Sequence, residues 1–308
     1  MEMGTNRFTH FRIRQEITYD PAMATASAVR DIDVTAIAEA VERLLIESNY
    51  RIPPDILDAL RAAAVREQSP LGRRTLEQLI ENYEVAAAEQ LPVCQDSGVT
   101  VVMLEVGQDV HWIGGSLRDA IFAGIRAGTL HGYLRPSVVG DPIARRTMSS
   151  DPVGVIHIDL VTGSGVKLTV ASKGFGAENM SALRMFTPAD GIDAVKAFVV
   201  DTVDRAGANA CPPVVVGVGI GGTFEMAALL AKRAALRPID RRNPQSAVAA
   251  HELDLLQRIN GLGIGPQGFG GVVTALAVNI EVYPTHIAGL PAAVNLACHS
   301  NRRITTEL

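Results

Sequence analysis

The chain has 308 residues, 47% hydrophobic and 20% charged, enough apolar material for one large core or two modest ones. Its net charge of −5, with no block of Lys or Arg, gives no footprint for nucleic acid, and no apolar run is long enough to span a membrane. Three widely spaced cysteines make no disulfide framework; they point to free thiols or metal ligands in a cytoplasmic setting.

In chain order, residues 1–30 show no periodicity and lack the apolar stretch of a secretory signal; they are expected to form a flexible extension. Residues 31–308 are expected to form one large domain. Asp31 or Asp33 is placed to cap a first helix, whose face is Val34, Ile37, Val41, Leu44 and Leu45. Pro54 suits the first position of a second helix, and Leu76, Leu79, Ile80 and Tyr83 mark a third over about 75–90. The turn Pro92-Val93-Cys94-Gln95-Asp96-Ser97-Gly98 then leads into an apolar strand from Val99. A helix is expected near 116–127. The β-rich runs 153–161 and 166–172, joined by Thr162-Gly163-Ser164-Gly165, read as a hairpin. Thr187-Pro188 starts a helix that Gly207 stops. A buried strand at 214–218, helices at 223–236 and 246–260, the glycine-rich run 261–271 and an alternating stretch at 272–283 complete the pattern. The fold class expected is α+β, with a helical N-terminal region followed by mixed and antiparallel sheets packed with helices.

Two constellations compete for the chemistry. Gly217-Val218-Gly219-Ile220-Gly221-Gly222 fits the G-x-G-x-x-G dinucleotide fingerprint, with Asp240 beyond it as a ribose contact. Against this, Leu236–Asp240 contains Pro238 and makes a poor second strand. The other constellation is the cysteines. Cys94, Cys211 and Cys298 each lie at a loop beside an element end, 117 and 87 residues apart, so no short zinc-type spacing exists. Three thiolates suffice for three irons of a [4Fe–4S] cluster and leave the fourth open to substrate. Taken singly, each residue also has a plainer role: a cysteine filling space, a solvated Arg135, a surface His286.

The strings CQDSG at 94–98, KGFG at 173–176, ACPPVVVGVGIGGTFE at 210–225 and LGIGPQGFGG at 262–271, with the late Cys298, resemble the α-subunits of class I iron–sulfur fumarases and of L-tartrate dehydratases. The resemblance covers about residues 30–300. It implies that Cys94, Cys211 and Cys298 ligate a [4Fe–4S] cluster. It further implies that Gln95, Arg135 and Gly176 bind a small dicarboxylate, Gly176 where no side chain would fit. Asp96 and His286, the latter twelve residues before Cys298, would form an acid/base pair. The implied reaction is reversible hydration of an unsaturated dicarboxylate, fumarate to L-malate first, with L-tartrate dehydration as the alternative. A β-type subunit would complete the site over Cys94, Arg135 and His286, and the chain is expected to dimerise. Less favoured alternatives are an NAD-dependent enzyme using Gly217–Gly222 and a silent α-like scaffold. One departure is Thr147-Met148-Ser149-Ser150-Asp151-Pro152, where family members often carry a TNTGDN-like stretch.

Overall fold

The computed structural model describes residues 29–147 and 153–308. The expected N-terminal extension therefore lies almost wholly outside the described residues, as do Met148–Pro152. Arg30, at the end of that extension, already belongs to a strand.

Asp33 closes strand β1 (Arg30–Asp33) and caps helix α1 (Val34–Tyr50), its carboxylate accepting the Thr35 N–H at 2.9 Å. Helix α2 (Pro54–Arg66) begins on its proline as expected. Helix α3 (Pro70–Glu89) starts earlier than its apolar stripe indicates, because Ser69 accepts the Gly72 N–H and Pro70 fits the first turn. The remaining elements are β2 (Val99–Gly107), β3 (Val110–Ile113), α4 (Leu117–His131), β4 (Val139–Asp141), β5 (Arg146–Thr147), β6 (Val155–Val161), β7 (Val166–Lys173), α5 (Phe175–Glu178), β8 (Ala182–Phe186), α6 (Gly191–Ala206), β9 (Val214–Gly221), α7 (Phe224–Leu236), α8 (Ser246–Asn260), β10 (Ala275–Tyr283), β11 (Leu290–Ala297) and β12 (Arg302–Glu307). The fold is α+β.

Two four-stranded sheets carry the core, ordered β12-β7-β2-β6 and β10-β9-β11-β8. Helices α1 and α4 cover the first sheet, burying Ile37, Val41, Leu44, Ile121 and Ile125 against Val102, Leu104, Leu168 and Val170. In the second, Val214, Val216 and Val218 of β9 meet Val199 of α6 and Leu255 and Ile259 of α8. The alternate residue Val215, with Ala277 and Ala297, faces α2 and α3. Both faces of β9 are thus buried, which is why it reads as an unbroken apolar run.

The hairpin expected from 153–172 is not formed. β2 lies between the two strands, parallel to β6 and antiparallel to β7. The Thr162–Gly165 turn wraps around the end of β2 instead: the Gly107 N–H donates to Gly165 O at 2.8 Å and the Asp109 N–H to Gly163 O at 3.0 Å. A Cβ on Gly107 would lie 2.2 Å from the Gly163 carbonyl oxygen, so only glycine lets the turn cross there.

The glycine fingerprint has a packing explanation. Gly217 and Gly219 lie inside β9, where a Cβ would meet the backbone of α7 at 2.2 Å from Ala231 O and 2.1 Å from Ala227 O. They let the helix sit flush on the strand. Helices α7 and α8 connect β9 to the parallel strand β10, but Asp240 falls between the two helices and not after the second strand. At the N-terminus of α7, Thr223 and Glu225 hydrogen-bond each other at 2.6 Å, leaving an anionic side chain where a phosphate would sit. The structure gives the NAD alternative no support.

Candidate active site

Antiparallel pairing places two of the three cysteines together. Cys211 stands just before β9 and Cys298 just after β11, and Val215 is in register with Ala297. Cys211 adopts a left-handed φ of 52°, and the His299 N–H reaches its carbonyl at 3.4 Å. Cys94 arrives from α3 through the 92–98 turn and packs with the cluster holding Val215 and Ala297. All three thiols are free and half-buried.

The same turn positions Asp96. Its carboxylate accepts the Gly98 N–H at 2.9 Å and the Phe175 N–H at 2.8 Å, which ties it to the start of α5. Gly98, at φ +70°, lies against Lys173, whose carbonyl oxygen would be 2.3 Å from an added Cβ; at Gly174 the added atom would be 3.0 Å from the Asp96 carboxylate. Gly176 differs from expectation. A Cβ there meets only Asn209 O at 3.5 Å, an ordinary contact, so within this chain a side chain would fit. That contact nevertheless puts Gly176 beside the Cys211 turn. Gln95 is exposed and accepts from the Cys94 thiol at 3.3 Å. The Arg135 N–H donates to Ser97 Oγ at 3.0 Å, and its exposed guanidinium has no partner among the described residues. Cys94, Gln95, Asp96, Arg135, Gly176, Cys211 and Cys298 therefore gather at one end of the molecule.

His286 does not join them. It lies in the loop after β10, which is pinned to the other end of β9: the Gly222 N–H donates to Pro284 O at 3.2 Å and Thr285 Oγ1 donates to Gly222 O at 2.9 Å. β9 is eight residues long, so about 23 Å of strand, at about 3.3 Å per residue step, separates the two ends. The exposed His286 accepts the Ala288 N–H through Nδ1 at 3.2 Å. The structure thus shows no Asp96–His286 pair within one chain.

Several further residues complete the site. Tyr83, buried at 3% exposure, hydrogen-bonds His299 Nδ1. Burial and then Arg302 push the His299 imidazole down to about 4, so the ring is neutral. Burial and then the Cys298 thiol push the Tyr83 phenol well up, with Cys94 and Cys211 adding to the effect. Cys211 is likewise raised by burial, then by Cys298 and Cys94. The three thiols thus lie within electrostatic reach of one another. Arg302, 2% exposed, donates to Asp96 O at 2.7 Å and to Asn49 Oδ1 at 2.9 Å, and its buried Nε has no partner. Lys173, buried at 5% exposure, donates to Leu296 O at 2.7 Å and pairs with Glu178 at 2.9 Å. His299 adjoins Cys298 and Lys173 opens the KGFG string, whereas Tyr83 and Arg302 carry no such signal.

The donor set suits a cluster better than a single ion. No three His, Cys, Asp or Glu side chains among the described residues are grouped as ligands of one metal ion. A cluster takes one cysteine per iron and needs the thiols near one another, not on one atom. It would also bring positive charge to three thiols that otherwise disfavour one another's ionisation.

The sequence model of fumarate hydratase (Fumerase) matches residues 38–307. The chain belongs to the fumarate hydratase family. Its relatives include a protein of Methanocaldococcus jannaschii, provisionally named L(+)-tartrate dehydratase subunit alpha, 39% identical over 87% of this chain and 95% of the relative. The L(+)-tartrate dehydratase subunit alpha of Escherichia coli strain UTI89 is 30% identical over 89% of this chain and 91% of its own. That of Escherichia coli K12 is 30% identical over 88% and 90%. Membership of the fumarate hydratase family places the chain among hydro-lyases, and the matched segment contains all three cysteines.

Proposed function

We propose that the chain is the α-type subunit of a [4Fe–4S]-dependent hydro-lyase that reversibly hydrates fumarate to L-malate. The observation that carries this reading is the gathering of three free thiols with Asp96 and Arg135 at one end of a chain of this family. Cys94, Cys211 and Cys298 would hold the cluster. When bound, it supplies a Lewis acid for a substrate carboxylate and hydroxyl.

The chain's own residues do the rest. Arg135, unpaired and exposed, offers two parallel N–H donors to a substrate carboxylate, fixing it by charge and by plane. Gln95 presents an amide beside it. Asp96 is held by two backbone N–H groups and keeps lone pairs free to take a proton alpha to a carboxylate. The Gly176 backbone N–H adds a donor where negative charge develops.

His286 takes part through a second copy of the chain. Its loop, held at the far end of β9 from Asp96, supports this, and the exposed Phe224, Tyr283 and Ile287 around it make an apolar surface fit for burial. A β-type partner covers the thiol end. The relatives' names as alpha subunits support this, as do the exposed Phe175 and Phe269 near the thiols. The names also favour a second substrate reading, L-tartrate. Both hydroxy acids offer two carboxylates and a hydroxyl, the features the site addresses. Anaerobic co-expression with the partner, followed by assays on fumarate, L-malate and L-tartrate, tests the proposal. Absence of activity on all three from iron-loaded protein would reject it.

A further inference from the structure

The glycine-rich run 261–271 has no role in the chemistry above, yet the structure folds it against the Cys211 turn. Pro212 and Pro213 carry no N–H, so the chain after Cys211 cannot brace itself through its own amides. Cys211 is held at a left-handed φ of 52°, which a non-glycine residue keeps only when its surroundings impose it. The imposing contacts are specific. The Cys211 N–H donates to Ala208 O at 3.0 Å. The Pro212 carbonyl accepts two hydrogen bonds from one residue, Gln267: the backbone N–H at 2.8 Å and the side-chain Nε2 at 2.8 Å.

Gln267 is itself strained, at φ 53° and ψ 18°. The loop is built to keep it there. Gly265, at φ +70°, packs so closely on Gly270 that a Cβ would lie 2.2 Å from its carbonyl carbon; at Gly268 a Cβ would lie 2.5 Å from Ala208 Cβ. Below the loop, the buried Glu67 carboxylate accepts the Val272 and Val273 N–H groups, each at 3.0 Å. Two residues in left-handed conformations are thus locked against each other across one carbonyl.

We propose that Gln267 is a positioning residue for Cys211. Its amide fixes the turn that presents the thiol, and the 261–271 loop delivers that amide. That Cys211 is an iron ligand rests on the function proposed above; that Gln267 fixes its turn does not, and the experiment separates the two.

Two substitutions isolate the side chain. Gln267→Gly keeps the left-handed backbone and its N–H bond and deletes the amide. Gln267→Glu keeps the shape and replaces the Nε2 donor by an oxygen facing the Pro212 oxygen. The apo protein, reduced and free of oxygen, is labelled briefly with iodoacetamide, and each cysteine peptide is quantified by mass spectrometry. Loss of one hydrogen bond should speed Cys211 labelling about fivefold. Labelling of Cys94 and Cys298 should be unchanged. Cys211 labelling at the wild-type rate, or all three thiols accelerating together, would overturn the proposal. If Gln267→Glu does not fold, Gln267→Gly decides alone. A second arm measures iron per chain after anaerobic reconstitution and gel filtration. The Gln267→Glu protein should retain less than wild type. Wild type that takes up no iron would refute the cluster reading and leave the labelling result standing.

Discussion

The Tyr83 hydroxyl and Nδ1 of His299 share a hydrogen bond, joining helix α3 to the residue that follows Cys298. Since the His299 N–H also reaches the Cys211 carbonyl, this one residue connects α3 to two thiol-bearing segments. Tyr83→Phe removes the hydroxyl and leaves Nδ1 unsatisfied in the interior. The cost should be about 1–3 kcal/mol of apo-protein stability by urea unfolding, with an unchanged m-value. Wild-type stability would show that the contact contributes nothing.

Iron content tests the thiols directly. Protein made without oxygen should be brown and carry about four irons per chain, the content of a [4Fe–4S] cluster. Cys211→Ser, and likewise Cys94→Ser or Cys298→Ser, should lose most of that iron while retaining the wild-type circular dichroism spectrum. Full iron loading in a triple serine variant would place the metal elsewhere.

Much of this arrangement was legible in the sequence, and the exceptions share a cause. Helix boundaries at Asp33, Pro54 and Gly207 followed from residues acting on their own backbone, by caps and turns within a few positions, whereas Thr187 caps only a short 3-10 turn at Pro188–Asp190 and α6 starts at Gly191. The hairpin at 153–172 failed because the strand that separates its arms, β2, lies far upstream, and no local pattern reports that insertion. The fingerprint at Gly217–Gly222 is ambiguous in sequence for a related reason. Glycines spaced for a phosphate are also glycines spaced for a helix, and only the closeness of Ala227 and Ala231 distinguishes the two. Among the site residues, those within the 92–98 turn could be read together because one loop carries them. The separation of His286 from Asp96 depends on strand direction, which a spacing of twelve residues from Cys298 does not contain.

Arg135 lends itself to a conservative test. Arg135→Lys keeps the charge and loses the planar fork. Catalytic efficiency of the assembled enzyme should fall on the order of 10²-fold, about 3 kcal/mol of charge-assisted bonding. Iron content and folding should not change, because only the backbone of Arg135, through Ser97, is tied into the fold. Unaltered kinetics would make it an ordinary surface arginine.

The Glu178 carboxylate gives a pH signature. Burial alone would raise it, but Lys173 and Lys232 outweigh burial and, with Asn295, hold it down to about 2 from an ordinary 4.5. A carboxyl depressed on folding contributes stability that is complete above its unfolded value and is lost as pH falls through its folded one. The window here runs from about pH 4.5 down to about pH 2. Glu178→Gln should cost about 3 kcal/mol at neutral pH, since it leaves the buried Lys173 and the half-buried Lys232 without their carboxylate. The difference from wild type should shrink across that window. A difference that stays constant would assign the cost to packing and not to charge.

The position of His286 yields the most discriminating prediction. If each site takes Asp96 from one chain and His286 from another, Asp96→Asn and His286→Asn proteins should each be inactive as assembled with the β-type partner. Chains of the two kinds, mixed before assembly, should recover activity. In a two-fold dimer half of the pairs are mixed, and each mixed pair holds one intact site of two, so roughly a quarter of wild-type activity should return. Recovery would arise only if the two residues serve a site from different chains. If His286→Asn alone retains wild-type rates, the histidine has no part in the chemistry, and its loop is a surface feature of β9. If both variants are inactive and mixing restores nothing, the two residues act within one chain, and the loop between β10 and β11 must leave Gly222 to let His286 cross the length of the sheet.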